Sequence, residues 1–237
     1  MNDRDMNDRN KPLLVQKFGG TSLADLRGFD ASAAVIGQYA GEHRVIVVLS
    51  AVKGVTDLLL SAIDTAVEGD DGTVPLNEAI RRERAIVDDL ASEGLNTPVA
   101  SEYLREQDET LSRMVEGIRL LGQCPDETRA RILATGEGFS SRLMVDVLNA
   151  RGYRAEWSDT DILPPANDDW LDSLIDVDAA EPLVKKRFET DADVVVLPGF
   201  YGRNADGAIQ LLGRNGTDYS AAVLAAASGS SLCQIWK

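Results

Sequence analysis

The chain has 237 residues, 44% of them hydrophobic, with 24 basic against 39 acidic side chains, a formal net charge of −15 and a single histidine. This balance repels nucleic acid and anionic membrane unless a basic patch intervenes, and the two short clusters, Arg81 to Arg84 and Lys185 to Arg187, read as solvated helix faces. No apolar run approaches the roughly 20 residues of a membrane helix, and Cys124 and Cys233 form no zinc or disulfide pattern, so a soluble protein of one α/β domain in a reducing, cytoplasmic compartment is expected.

Residues 1–11, MNDRDMNDRNK, are polar, carry both charges and lack an apolar centre, which predicts a disordered extension and neither a signal peptide nor an anchor. A first strand, Leu13 to Gln16, runs into KFGGTS, after which apolar residues recur at helical spacing from Leu23 to Tyr39. Ser22 and Asp25 have the S-x-x-D spacing of a capping box at that helix start. Val45 to Leu49 is wholly apolar, as expected for a strand covered on both faces. Helix Val55 to Val67 follows, then a turn-rich stretch from Gly69 to Val74, then charge-rich helical regions at Leu76 to Gly94 and Val99 to Leu121 that form an excursion from the sheet.

The amphipathic run ETRARILATGEGFSSRLMVDVLNARG predicts helix before a short strand at Arg154 to Trp157. Pro164, Pro165 and the aspartates between Ser158 and Trp170 predict a surface loop. Asp193 to Leu197 is a further buried strand; Ile209 to Leu212 leads into GRNGTDYS and a helix from Ser220 to Ala227; Leu232 to Trp236 is one more strand. Strands alternating with helices predict a three-layer αβα sandwich around a mostly parallel sheet, with the edge at Leu232 to Trp236 expected to need a further segment to finish it.

Two glycine loops carry the chemistry. KFGGTS takes a strand directly into two glycines and a helix start, which lets backbone N–H groups approach a phosphate while Lys17 supplies charge; a plain strand-to-helix turn is the competing reading of these residues alone. It is neither a Walker A loop nor a GxGxxG fingerprint. In GRNGTDYS, Arg214 offers a planar fork for carboxylate or phosphate, Gly216 permits close approach, and Thr217 or Asp218 can cap the helix. Ligands of open α/β sheets gather at the carboxyl ends of strands, where both loops are expected to converge. His43 reads as a surface residue before a strand, and Trp157, Trp170 and Trp236 as packing residues.

The segments VQKFGGTSLAD, VVLSAVKGVTD, ATGEGFSSRLM, VLPGFYGRN and LLGRNGTDYSAAVLAA, in this order and spacing, resemble the aspartate kinases of the amino-acid kinase family. LLGQCPD and LNARG are most similar to the kinase portion of the bifunctional aspartokinase/homoserine dehydrogenases. The resemblance spans Leu13 to Trp236. It implies the amino-acid kinase (carbamate kinase-like) fold over residues 12–237, incomplete at its C-terminus, because in that family the chain continues through a nucleotide-binding segment and regulatory domains.

Carried over by matching positions, the resemblance implies that Lys17 contacts the transferring phosphoryl group and that Gly19, Gly20 and Thr21 line the phosphate loop. It further implies that Ser50 and Thr56 help to bind L-aspartate, Glu137 meets its ammonium group, Arg214 its α-carboxylate, Gly216 and Thr217 adjoin it, and Asp218 is the catalytic aspartate. The implied reaction passes the γ-phosphoryl of ATP, accompanied by Mg²⁺, to the β-carboxylate of aspartate, the first step toward lysine, threonine and methionine; no metal ligand on the protein is implied. The acceptor is already ionised at neutral pH, so Asp218 is expected to organise Lys17 rather than to deprotonate. Alternatives are an inactive aspartate-binding module, a half-enzyme complemented by a separate C-terminal segment, and a kinase acting on glutamate, carbamate or a nucleotide. A homo-oligomer stays open.

Overall fold

A computed structural model describes residues 11–237, so the expected extension at residues 1–11 lies, but for Lys11, outside the described residues. Five strands form one parallel sheet: β1 (Leu13–Phe18), β2 (Arg44–Leu49), β3 (Ala155–Trp157), β4 (Val194–Pro198) and, last in the chain, β7 (Leu232–Trp236), in the order β3-β4-β2-β1-β7. The central strands are runs of β-branched and apolar residues because both faces are covered. Alternation divides them: Val45, Val47 and Leu49 of β2 enter one core, while Ile46 and Val48 enter the other. Gln16, fully buried in β1, donates to the Gln234 side chain of β7 at 2.8 Å, and Gln234 in turn donates to the Tyr39 hydroxyl at 3.0 Å, so these side chains tie β1, β7 and Tyr39 together, with Gln16 Oε1 left without a partner.

One face of the sheet carries α1 (Leu26–Ala40) and α6 (Thr135–Ala150); α7 (Val177–Arg187) and α8 (Gly216–Ser228) cover the other. Between β2 and α6 the chain makes its excursion through α2 (Val55–Val67), α3 (Thr73–Ser92), α4 (Pro98–Leu121) and α5 (Asp126–Leu133), packed on one another and continuous with the first core. Asp146 of α6 reaches across to the start of α4 and accepts from the backbone amides of Val99 at 3.4 Å and Ala100 at 2.9 Å. It thus acts as a cap supplied from another helix, since Thr97 makes no side-chain cap of its own.

Several local expectations are corrected. Residues 20–23 form a short 3₁₀ turn, and α1 starts only at Leu26 with Asp25 itself as the cap, accepting from Gly28 N at 2.9 Å, so Ser22 and Asp25 make no capping box. The run expected as one helix after Pro125 is two, meeting at Ala134, with α6 beginning at Thr135. Residues 158–170 are not a surface loop throughout: Ser158, Thr160, Ile162 and Leu163 are buried, the two apolar ones against α7 and α8 in the second core. The only sign of α7 in the sequence reading is the basic cluster at its end, its apolar face being reduced to Ala180 and Val184.

The strand before GRNGTDYS does not join the parallel sheet either. Tyr201–Arg203 (β5) and Ile209–Leu211 (β6) pair antiparallel as a separate hairpin, with Gly207 at φ 79° in its turn. That hairpin follows the end of β4 and delivers the second glycine loop back over the sheet's carboxyl edge.

Candidate active site

Strands β1, β2 and β4 all end at this edge, and each hands over to a loop fixed by its neighbour. Ser50 N donates to Phe18 O at 3.1 Å, Gly199 N to Leu49 O at 2.9 Å, and Gly19 N to Trp236 O at 3.0 Å. All the site residues proposed from sequence except Gly20 line one cavity of about 390 Å³ over this edge, together with Phe200, Gly213, Asn215 and Lys237. Gly20 instead turns into the neighbouring loop: a Cβ there would lie 2.9 Å from Ala51 O, so glycine is what lets the two loops touch. A second cavity of about 470 Å³, lined by Tyr103, Arg142 and Trp157 among others, lies away from both glycine loops and holds none of the proposed residues.

Lys17 stands one residue from the end of β1, and its Nζ meets Asp218 Oδ1 at 2.6 Å. Asp218 sits in the first turn of α8, where the positive end of the helix also favours its charge. Partial burial works against ionisation of Asp218, yet Lys17 and Lys237, the latter at 3.6 Å, hold its carboxyl below the usual carboxylate range. Neither Thr217 nor Asp218 caps α8, contrary to the sequence expectation: Asn215 precedes the helix at φ 62° with no side-chain cap bond. Thr217 is used otherwise, its Oγ1 accepting from Ser50 Oγ at 3.0 Å and so tying the two loops together. Its methyl packs on Gly199, where a Cβ would stand 2.4 Å from Thr217 Cγ2.

Glu137 forms the inner wall. It is 4% exposed and its Oε2 has no hydrogen-bond partner. Burial pushes its carboxyl up to about 8, against the opposing pull of the Ala51 amide, its own backbone amide and Lys17. Gly136 makes this placement possible, because a Cβ there would come 2.7 Å from that of Ala51. Arg214 lines the same cavity, exposed and with no protein partner among the described residues. The cavity therefore offers an exposed guanidinium, a buried carboxyl with one unpartnered oxygen and a lysine in the glycine loop. A small ligand with both carboxylate and ammonium groups, placed beside a phosphoryl donor, complements this arrangement.

Sequence reasoning missed Phe200 and Asn215. Both are non-glycine residues in the left-handed region, Phe200 at φ 73°, and both line the cavity. Phe200 is held by both backbone groups: its N–H donates to Ser220 Oγ at 3.2 Å and its carbonyl accepts from Leu212 N at 2.8 Å. Such strain costs about 1–3 kcal/mol and gathers where geometry serves a site. The Asn-Gly pair at 215–216 was a legible turn signal; nothing marks Phe200 in the sequence. Trp157 is also more than packing, since the Arg142 guanidinium lies between its ring and that of Tyr103, at 3.8 and 4.1 Å from the centroids.

Comparison with known proteins supplies the family. The chain is 32% identical to a bifunctional aspartokinase/homoserine dehydrogenase of Buchnera aphidicola over 94% of its own length and 28% of that protein's. It is 29% identical to the lysine-sensitive aspartokinase 3 of Escherichia coli, covering 94% of this chain and 48% of the relative. Among solved structures, E. coli aspartokinase III in complex with aspartate and ADP superposes with a TM-score of 0.81 at 30% identity, covering 94% of this chain and 48% of that one. The chain thus spans between about a quarter and a half of these relatives. A sequence model of the amino acid kinase family matches residues 12–237, and the chain belongs to that family.

Proposed function

We propose that this chain carries the aspartate-binding and phosphoryl-transfer centre of an aspartate kinase, and that residues 12–237 are the N-terminal part of its kinase domain. The observation that carries the reading is one cavity lined together by Glu137, Arg214 and the Lys17–Asp218 pair, 2.6 Å apart. Arg214 takes the α-carboxylate of L-aspartate and Glu137, as the anion, its ammonium group. Ser50, Thr56, Gly216 and Thr217 border the substrate, whose β-carboxylate then faces Lys17.

The turn formed by Gly19, Gly20 and Thr21, with Lys17 Nζ only 3.5 Å from where a Cβ on Gly19 would stand, is a cradle that fits the terminal phosphoryl group of ATP. Mg²⁺ carried by the nucleotide supplies further charge neutralisation. A β-carboxylate oxygen of aspartate forms a bond to the γ-phosphorus while the bond to the bridging oxygen breaks; aspartyl 4-phosphate and ADP result, and no proton has to leave the acceptor. Two anions must meet, so Lys17 does the main work, spreading positive charge over donor and acceptor, and Asp218 fixes its ammonium group in place.

ATP- and aspartate-dependent acyl phosphate, trapped with hydroxylamine, tests the reading. Hydroxamate with aspartate but not with glutamate supports it; saturable aspartate binding with no hydroxamate would favour the alternative of an aspartate-binding module. A preference for glutamate or carbamate as acceptor would move the chain to another branch of its family.

A further inference from the structure

The second cavity, of about 470 Å³, collects arginines in a chain whose net charge is −15. Arg131 of α5, Arg142 of α6 and Arg203 of β5 all line it. Arg203 is committed, its Nε donating to Asp159 Oδ2 at 2.9 Å and its Nη1 to Gly207 O at 2.7 Å. Arg131 is exposed and has no protein partner among the described residues. Two exposed carboxylates, Glu127 and Asp206, line the cavity as well, yet neither forms an ion pair with any of these arginines.

Arg142 is half-buried and no carboxylate neutralises it among the described residues; its one hydrogen bond there goes to Gly138 O at 2.9 Å. Its guanidinium is packed between Trp157 and Tyr103, and both rings are held in place. Trp157 Nε1 donates to Ser141 Oγ at 3.0 Å, and the Tyr103 hydroxyl to Thr135 O at 3.4 Å. Stacking stabilises the cation, but a guanidinium between two rings meets an anion only through its N–H edge. That planar fork suits carboxylate or phosphate oxygens.

Tyr201 supplies an independent observation. It is 3% exposed and lines the same cavity, and its hydroxyl has no hydrogen-bond partner among the described residues. Burial pushes its phenol well above the ordinary value, so at neutral pH the group is an O–H donor. A buried donor without an acceptor is costly, and an anion beside it removes that cost. Two chain segments also connect this cavity with the aspartate cavity. Thr135 lines the one and Glu137 the other, while Tyr201 lines the one and Phe200, with its left-handed backbone, the other.

We propose that the second cavity is a binding site for a small anion bearing a carboxylate or phosphate group, held by the free edge of Arg142 and the Tyr201 hydroxyl with Arg131 adding charge, and that its occupancy changes aspartate affinity. Arg142 grips Gly138 O, next in the chain to Glu137, so an anion that fixes Arg142 also fixes the turn from which Glu137 reaches the aspartate cavity. The coupling rests on the aspartate reading; the anion site does not.

The test is ¹H–¹⁵N NMR of the three tryptophan indoles. Trp157 reports this cavity; Trp236, stacked on Phe18 with its carbonyl bonded to Gly19 N, reports the aspartate cavity. At constant ionic strength, inorganic phosphate or succinate should shift the Trp157 indole saturably with a Kd below about 10 mM, any Trp236 response following a separate curve. Tighter phosphate binding identifies a phosphate ester as the ligand class, tighter succinate binding a carboxylic acid. Arg142→Met should weaken the event more than about tenfold and Tyr201→Phe about three- to tenfold. Tyr201→Phe, which keeps the ring, decides even where Arg142→Met does not fold. The saturating probe should change the aspartate Kd more than about threefold in the wild-type chain and not in Arg142→Met. No saturable Trp157 shift with either anion, or one that both variants leave intact, would overturn the site; an aspartate Kd that the probe leaves unchanged would overturn the coupling. Absent aspartate binding counts against the substrate reading and leaves the anion site standing.

Discussion

Aspartate binding at this cavity is expected to expel a proton. With the Glu137 carboxyl pushed up to about 8, about nine in ten ligand-free molecules hold it neutral at pH 7. An ammonium ligand needs the carboxylate, so ionisation must come first, at a cost of about 1.4 kcal/mol at that pH, or roughly tenfold in affinity. Aspartate affinity should therefore rise roughly eightfold between pH 6.5 and 7.5 and level off above about pH 8. Calorimetry in two buffers of different ionisation enthalpy should count about 0.9 proton released per aspartate bound at pH 7. Glu137→Gln should abolish both the slope and the proton release. Affinity that stays flat from pH 6 to 8 with no proton released by the wild-type chain would refute the reasoning.

The same shift has a stability counterpart. Glu137 is raised from an ordinary value of 4.5, so its contribution to stability is fully present below that value and is lost as pH rises through about 8. Asp218, lowered, acts in the opposite sense, its contribution being lost as pH falls through its folded value.

Four substitutions probe the rest of the site and its frame. Lys17→Met should reduce hydroxamate formation by about 10³-fold or more while aspartate affinity stays within about threefold; a surviving rate would remove Lys17 from phosphoryl transfer. Gly213→Ala meets both a φ of 64° and Asp172 Oδ1 at 1.8 Å from the new Cβ, and should cost about 1–3 kcal/mol in denaturant titration. Asp146→Ala strips the amides of Val99 and Ala100 of their acceptor and should cost about 1–2 kcal/mol; an unchanged midpoint would show that solvent caps α4 as well. Thr217→Ser keeps the hydroxyl that meets Ser50 but loses the methyl on Gly199, so a loss of about 1 kcal/mol in stability with aspartate affinity retained is expected.

The sheet was legible because its central strands announce themselves: Val45 to Leu49 and Val194 to Leu197 admit no polar interruption, and both sit where period-2 burial divides them between two cores. The glycine loops were legible for a similar reason, since Gly20 and Gly213 stand where a Cβ would collide. What escaped was decided by tertiary contacts. Residues 162–163 read as loop because Pro164 and Pro165 follow them, yet burial against α7 and α8 holds them in place. The β5–β6 hairpin is too short for its antiparallel pairing to show in periodicity. The cap of α1 was misplaced by three residues because the S-x-x-D spacing fits equally well a turn preceding the helix. Phe200 carries no signal at all, its left-handed backbone being imposed by Ser220 and Leu212 from elsewhere in the chain.

The bond between the Ser50 and Thr217 hydroxyls joins residues 167 apart in sequence, and the ion pair between Lys17 and Asp218 spans an even longer separation. Closing loops of that length costs entropy that local helices do not repay, so such contacts form late in folding. On a ribosome, the β1 and β2 loops emerge long before α8, and the cavity has no opposite wall until α8 docks. Ligand affinity at this cavity is therefore a readout of completed folding: in a refolding experiment, recovery of aspartate binding should lag behind recovery of helical signal, and the interval between them measures the docking of α8 onto the sheet.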